Sequence, residues 1–133
     1  MTPNHAIFRK IFSESLKVTN RTFDYLPDAG TKYPFIFIGE NSNTDETNLD
    51  LFGNATQTVH IYATRTQRAE LDELTTKLIN ALKSSRMAFE YAISYQSCNQ
   101  QDAPDNTDVQ PLIHRVLDVS FSYNKKGDKI NGI

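Results

Sequence analysis

ATQTVHIYATRTQRAELDELTTKLINALKS, residues 55–84, contains both of the periodicities from which the fold can be predicted. Its first part, Ala55 to Thr64, alternates apolar and polar residues, which predicts a half-buried β-strand. Its second part repeats leucine every three or four residues, which predicts an amphipathic helix over about Gln67 to Ser84. The apolar positions of this helix are Leu71, Leu74, Leu78, Ile79 and Leu82. A strand followed directly by such a helix indicates a domain in which helices pack on a sheet.

The residues before this segment predict one helix, two strands and a polar loop. Pro3 to Lys17 places apolar residues at helical spacing, and proline suits the first helical position because its missing N–H costs nothing there. A short strand is predicted over Thr22 to Leu26, and a second over Pro34 to Glu40, which is apolar on both faces. Asn41 to Asp50 contains acids and no base, which is typical of a solvated loop.

The residues after it predict two further strands separated by a second polar loop. The strands cover Ala88 to Ser97 and Leu112 to Tyr123, and the loop covers Asn99 to Asp108. The predicted order is α-β-β-β-α-β-β, which indicates an α+β fold with a mainly antiparallel sheet of four to five strands packed by two helices. We expect a single domain over residues 1–133, with a globular part at 1–123 and a loosely ordered tail at 124–133.

Composition argues against several classes of function. The 14 basic and 16 acidic residues give a net charge of −2, whereas a surface for nucleic acid or anionic membrane needs a dense positive field. No stretch has the apolar length of a transmembrane helix or the features of a signal peptide. The single cysteine, Cys98, cannot form an intramolecular disulfide, so we expect folding in a reducing compartment.

Side chains that could carry catalysis are few and scattered. His60 and His114 lie on predicted strands and could be neighbours in the sheet, with Asp118 as the nearby carboxylate. Cys98 has no local base or oxyanion motif, so the sequence favours a plain thiol. We therefore predict that the protein is not an enzyme and has no catalytic residue, metal or cofactor. The alternative is a small metal- or ligand-binding enzyme domain with a pocket near the two histidines.

Two patterns point to partners instead. Apolar side chains extend onto both faces of the predicted strands, so that either a loop covers the second face or identical subunits bury it. The second interpretation predicts a set of interface residues: Ile36, Ile38, His60, Tyr62, Leu112, His114 and Val116. Charge is also segregated, because both predicted loops carry only acids. These acids are either simply solvated or arranged so that a ring of subunits points one sign inward.

Three motifs in a fixed order resemble the tail-terminator (tail-completion) family of siphophages and related prophages. They are FDYLPD at residues 23–28, YPFIFIGE at 33–40 and TVHIYA at 58–63, and the last precedes the leucine-rich helix. The family has an N-terminal helix, a strand and turn of the first kind, then the two strands, a helix and two closing strands. The resemblance covers about residues 5–123, so its weight lies in order and spacing along nearly the whole chain.

The resemblance implies a structural virion protein located at the tail or neck and assembled in the host cytoplasm. Such a protein forms a hexameric ring on the last ring of tail-tube protein, ends tail elongation and provides the surface for head docking. The partners implied are further copies of the chain, the tail-tube protein and the head connector, with a monomer possible in isolation and no membrane. DNA passes through the ring without specific binding. Acidic side chains facing that channel would repel DNA, and the candidates are Asp45, Glu46, Asp50, Asp102 and Asp105.

Other interpretations stay open from the sequence. A head-side connector of the neck (a stopper or adaptor protein) is also small and ring-forming, so the sequence separates it poorly from a terminator. The enzyme domain described above belongs to a different class. A generic nucleic-acid-binding module is a further alternative, although the net charge of −2 counts against it.

Overall fold

The computed structural model describes residues 1–43 and 51–126, and these form two helices packed on one sheet. Helix α1 spans Pro3–Val18 and begins where the Thr2 hydroxyl accepts a hydrogen bond from the His5 N–H at 3.2 Å. Helix α2 spans Arg68–Lys83 and follows a single 3₁₀ turn at Arg65–Gln67. The predicted helices are therefore confirmed, with ends that differ by at most one residue.

The sheet has six strands in the spatial order β1-β2-β3-β6-β5-β4. All neighbouring strands are antiparallel except β1 and β2, which are parallel. The strands are β1 Thr22–Phe23, β2 Phe35–Asn43, β3 Phe52–Thr64, β4 Met87–Ala88, β5 Tyr91–Asp105 and β6 Leu112–Lys125. The α+β class is confirmed, but the sheet has six strands rather than four to five. The additional strand, β4, is two residues long and is separated from β5 by Phe89 and Glu90. Phe89 has a φ of 56°.

The predicted loop over Asn99 to Asp108 is wrong for most of its length. Strand β5 continues through Asp105 and pairs residue by residue with β6, from Asn99 opposite Asp118 to Asp105 opposite Leu112. Polar composition suggested a loop, but the backbone of β6 supplies hydrogen bonds that do not depend on side-chain polarity. At the other end of the hairpin β6 reaches Lys125, two residues beyond the predicted end, and residues 127–133 of the predicted tail lie outside the described residues.

The core lies between the two helices and one face of the sheet. Strand β3 shows how the sequence produces this arrangement. Every second residue from Gly53 to Ala63 is buried and the residues between them are not, because alternate side chains of a strand point to opposite faces. The fully buried side chains of the sheet face α1 and α2, and they include Ile36, Val59, Ile61, Leu117 and Phe121. Both helices pack on this one face, so within residues 1–43 and 51–126 no helix covers the opposite face of β2, β3 and β6. We call that opposite face the open face.

Candidate functional site

Stacked rings cross the open face from strand to strand. Phe35 stacks on Tyr62 at 5.1 Å between ring centroids, and Tyr62 stacks on His114 at 4.3 Å. His114 contacts His60 at 5.0 Å, and His60 stacks on Phe37 at 5.2 Å. We call these five residues the aromatic row. The row forms because alternate residues of β2, β3 and β6 point the same way and the strand register places them side by side.

A hydrogen-bonded chain of three titratable groups runs through the aromatic row. His60 Nε2 lies 2.9 Å from Glu40 Oε1, and His60 Nδ1 lies 2.8 Å from His114 Nε2. Glu40 reaches His60 because β2 has a bulge between Ile38 and Asn41. The bulge is held by the Gln57 side-chain amide, which donates to the carbonyls of Gly39 and Glu40 at 2.9 Å each.

This chain of groups limits how many protons the two histidines can carry. When both rings are neutral, His60 donates to Glu40 and accepts a hydrogen bond from His114. When His60 is protonated, it donates from both nitrogens and His114 must accept. Two protonated rings cannot keep the contact, because neither would have an acceptor. Burial, and secondly the neighbouring His60, lower the pKa of His114 below its usual 6.5, whereas the hydrogen bond from His60 lowers the pKa of Glu40.

Stability should therefore fall with acidification in a way that depends on His114. Its folded pKa lies below its usual value of 6.5, so the unfolded chain binds the proton first as the pH falls. The neutral ring's contribution is complete above about pH 6.5 and is lost as the pH drops towards the folded pKa. Glu40 and Asp105 partly oppose this shift by favouring the charged ring.

Denaturant unfolding at about pH 8 and about pH 5 would test this expectation. The His114→Phe variant keeps the stacked ring without a titrating nitrogen, so we expect it to lose less stability than wild type across this range. His5→Phe on the exposed side of α1 is the matched control and should behave like wild type. Equal losses in wild type and His114→Phe would contradict the argument.

The rest of the open face carries hydroxyl and carboxylate groups. The Thr58 hydroxyl donates to Asp118 at 2.7 Å, and the hydroxyls of Thr56 and Ser120 lie 2.8 Å apart. Gln96 on β5 donates to the Ser122 hydroxyl at 3.1 Å. We call this part, which follows the aromatic row along β3 and β6, the hydroxyl half because its side chains carry most of the hydroxyl groups named here. The open face thus has an aromatic end and a hydroxyl end.

The predicted interface residues divide between the two faces of the sheet. His60, Tyr62, His114 and Val116 lie together on the open face and are half-buried. Ile36 and Ile38 do not join them, since they are 0% and 2% exposed in the core beneath the helices. The predicted strand was apolar on both faces, and the side that packs on the helices could not be read from it. Their place in an interface is therefore corrected, and the open-face residues of β2 are Phe35 and Phe37.

Leu112 lies on the same side of β6 as His114, but it is 2% exposed. It is buried at the end of the open face, beside the chain segments that follow β1 and β5. Sequence reasoning missed this closure, because it depends on residues 26–29 and 105–108 coming together from distant parts of the chain.

The five acids predicted to face a channel are not equivalent. Asp45, Glu46 and Asp50 lie outside the described residues. Asp105 is on the open-face side of β5 and accepts hydrogen bonds from the backbone and hydroxyl of Thr107. Asp102 points to the helix side of the sheet, where it is bound to a buried arginine, so its assignment to an acidic loop is corrected.

That arginine, Arg115, joins the β5–β6 hairpin to α2. Its guanidinium donates to both carboxylate oxygens of Asp102 at 2.7 and 2.8 Å, to Asp72 at 2.9 Å and to the Thr75 hydroxyl at 3.0 Å. The side chain is 4% exposed. The bidentate contact from Arg115 lowers the pKa of Asp102. A base at a core position of a predicted strand was the available sequence signal, but its partners could not be named without the register.

The side chains considered for an enzyme site are arranged differently from the prediction. His60 and His114 are neighbours as predicted, but Asp118 binds Thr58 and the carboxylate beside the histidines is Glu40. Burial raises the pKa of the Cys98 thiol, which disfavours the thiolate that a nucleophile needs. In residues 1–43 and 51–126, no three histidine, cysteine, aspartate or glutamate side chains are grouped closely enough to hold a metal ion.

None of the described helices has the length and apolar character needed to cross a membrane.

The edge of the sheet at β5 is largely open. Strand β4 pairs only with Tyr91 and Ala92, so within the described chain the outer side of β5 from Ser94 to Asp105 borders no strand. An edge of this kind presents backbone donors and acceptors to which another extended segment can pair. A bulge between Tyr95 and Ser97 and a proline at Pro104 bound the regular part of this edge.

Comparisons with known proteins found a similar fold in a chain of a solved structure. No family model matches the sequence, and no curated protein matches it. The fold is similar to that of a chain in a solved structure described as "Virion of native gene transfer agent (GTA) particle". The TM-score is 0.59 at 10% sequence identity, and the match covers 90% of this chain and 92% of the other. The likeness shows a shared fold, and the resemblance to tail terminators stays a prediction.

Proposed function

We propose that this protein is a structural subunit of a phage-like virion and that it catalyses no reaction. The observation that carries the proposal is the similarity of nearly the whole fold to a chain of a gene transfer agent virion. A fold alone does not determine function, so the surfaces must also suit assembly. The open face and the β5 edge are candidate surfaces, because the first carries half-buried aromatic side chains and the second has backbone groups that face no strand in the described chain.

More specifically, we propose that the subunits form a closed ring, with six copies as the resemblance implies, that caps the tail tube and docks the head. A ring requires two different complementary surfaces on each subunit, since one surface that pairs with itself gives only a dimer. The open face and the β5 edge differ in chemistry and lie on different sides of the molecule. The partners proposed are further copies of this chain, the tail-tube protein and the head connector. Its location would be the virion, after assembly in the host cytoplasm.

The channel of such a ring must let DNA pass without retaining it. Negative charge on the inner wall would serve this purpose, because like charges repel. Two of the five acids predicted to face a channel lie in the described residues. Asp105 remains a candidate, whereas Asp102 is hydrogen-bonded to Arg115. Replacing Asp105 by lysine should then slow DNA ejection without preventing ring assembly.

The first test is molecular mass by light scattering, alone and with the tail-tube protein. We expect a ring-sized complex on the tube, and a monomer in the absence of the tube is compatible with the proposal. Val116→Glu places a charge on the open face and should abolish the complex without unfolding the chain, whereas Glu73→Lys on the exposed side of α2 should leave it intact. A complex that forms equally well with Val116→Glu would count against the open face as an assembly surface.

The second test separates a terminator from a head-side stopper by electron microscopy of particles made without the protein. Overlong or unattached tails are expected for a terminator. DNA-filled heads that leak would instead identify a stopper, the runner-up within the same class. Normal particles would refute both proposals.

A further inference from the structure

A cavity of about 280 Å³ lies at the aromatic end of the open face. Its apolar lining comes from Leu26, Phe35, Tyr62 and Leu112, and Tyr33 contributes a further ring. Phe35 is 5% exposed and stacks on both Tyr33 and Tyr62, at 5.5 and 5.1 Å. The three rings are therefore mutually supported, and the exposed Leu26 adds an aliphatic side chain to the lining.

The charge around this cavity has one sign. Asp28, Asp105 and Asp108 line it, and none of its described lining residues is basic. Two of the acids are fixed in position, because Asp108 accepts a hydrogen bond from the Tyr33 hydroxyl at 2.7 Å and Asp105 accepts two from Thr107. Burial and the contact with Asp108 raise the pKa of Tyr33 to about 12, so its ring stays neutral beside the carboxylates.

We propose that this cavity binds an arginine side chain of a partner protein. A guanidinium is planar, so it can lie against Tyr33, the outer ring of the stack, while its N–H groups reach carboxylates at the cavity edge. The apolar lining suits the methylene part of the same side chain. A neutral apolar side chain would fill the cavity but would leave the carboxylates without a partner. A lysine ammonium matches the charge but not the planar stacking.

The positive charge of an arginine complements the negative charge of the cavity lining, and this complementarity is the reason for choosing arginine as the occupant. Asp28 and Asp108 come from two connecting segments far apart in sequence, and both face the same small volume as the rings. This inference goes beyond the proposed virion role, since an arginine-bearing segment of any partner could bind here. Failure of the cavity to bind arginine would leave the ring proposal standing, and failure of the ring would leave the cavity proposal standing.

The test is an NMR titration in which a Gly-Arg-Gly tripeptide with blocked ends is added to the whole chain and the shifts of protein resonances are measured. The matched ligand is the same peptide with citrulline, which has nearly the shape of arginine but no charge. At millimolar concentration we expect the arginine peptide to shift resonances of Leu26, Tyr33 and Leu112, and the citrulline peptide to shift them much less. A lysine peptide should bind more weakly than the arginine peptide.

Variants locate the site on the protein. The double substitution Asp105→Asn and Asp108→Asn keeps shape but removes charge, and should weaken arginine binding at least about tenfold, which corresponds to about 1.4 kcal/mol. Asp118→Asn on the hydroxyl half should bind as wild type does. Equal shifts with arginine and citrulline, no shift with arginine, or an equal loss in the Asp118→Asn control would each overturn the proposal.

Discussion

Replacing Asp102 by alanine should lower the free energy of unfolding by about 3 kcal/mol, near the lower end of the range for breaking a buried ion pair. The substitution leaves the Arg115 guanidinium, 4% exposed, without two of its charge-assisted hydrogen bonds. Asp72 and Thr75 still contact it, and the Asp102 side chain is itself 30% exposed, so the upper end of the range is not expected. For a chain of this length the melting temperature should fall by roughly 10 °C.

Denaturant unfolding of three variants would check this effect. Asp105→Ala is the matched control, because it lies on the same strand but faces the open side and should cost less than about 1 kcal/mol. Adding Arg115→Met to Asp102→Ala should recover part of the loss, since an apolar side chain then replaces a buried charge that has lost one of its two carboxylate partners. If Asp102→Ala costs no more than Asp105→Ala, the ion pair does not stabilise the hairpin.

Replacing Ile36 by alanine should lower the free energy of unfolding by about 2–5 kcal/mol in the isolated chain. Ile36 is fully buried between β2 and the helices, so truncation removes apolar contacts and leaves a cavity that the neighbouring side chains fill only in part. An Ile36 in a subunit interface would predict the opposite, namely little change in the isolated chain and a loss of assembly.

Val116→Ala provides the comparison for this second variant. Val116 is half-buried on the open face, so its truncation should cost about 1 kcal/mol in the isolated chain. Thermal or denaturant unfolding of both variants measures the difference directly. A smaller cost for Ile36→Ala than for Val116→Ala would show that the helix-facing side of β2 has been assigned wrongly.

The periodic parts of the chain could be predicted from the sequence. Helix α2 and strand β3 can be predicted because each has one solvent-facing side and one buried side, so their apolar residues recur at a regular spacing. Strand β2 has apolar residues on both sides. Its period could not tell that Ile36 faces the helices while Phe37 faces outward. That choice is made by the tertiary structure, through the register of β2 against β3.

The polar half of β5 could not be predicted for a different reason. Asn99 to Asp105 has the composition of a loop, and its strand conformation depends on pairing with β6. The same pairing brings Asp102 opposite Arg115, so one missed strand concealed the ion pair as well. The pairing of His60 with His114 was anticipated, but the contribution of Glu40 was not, because it requires the bulge in β2.

The contrast between the aromatic row and the hydroxyl half gives the open face a direction along its strands. A molecule that covers the open face contacts stacked rings at one end and hydroxyl groups at the other. In the reversed orientation, the apolar groups of that molecule would lie against the hydroxyl half. A partner that binds the open face would therefore be held in one orientation along the strands.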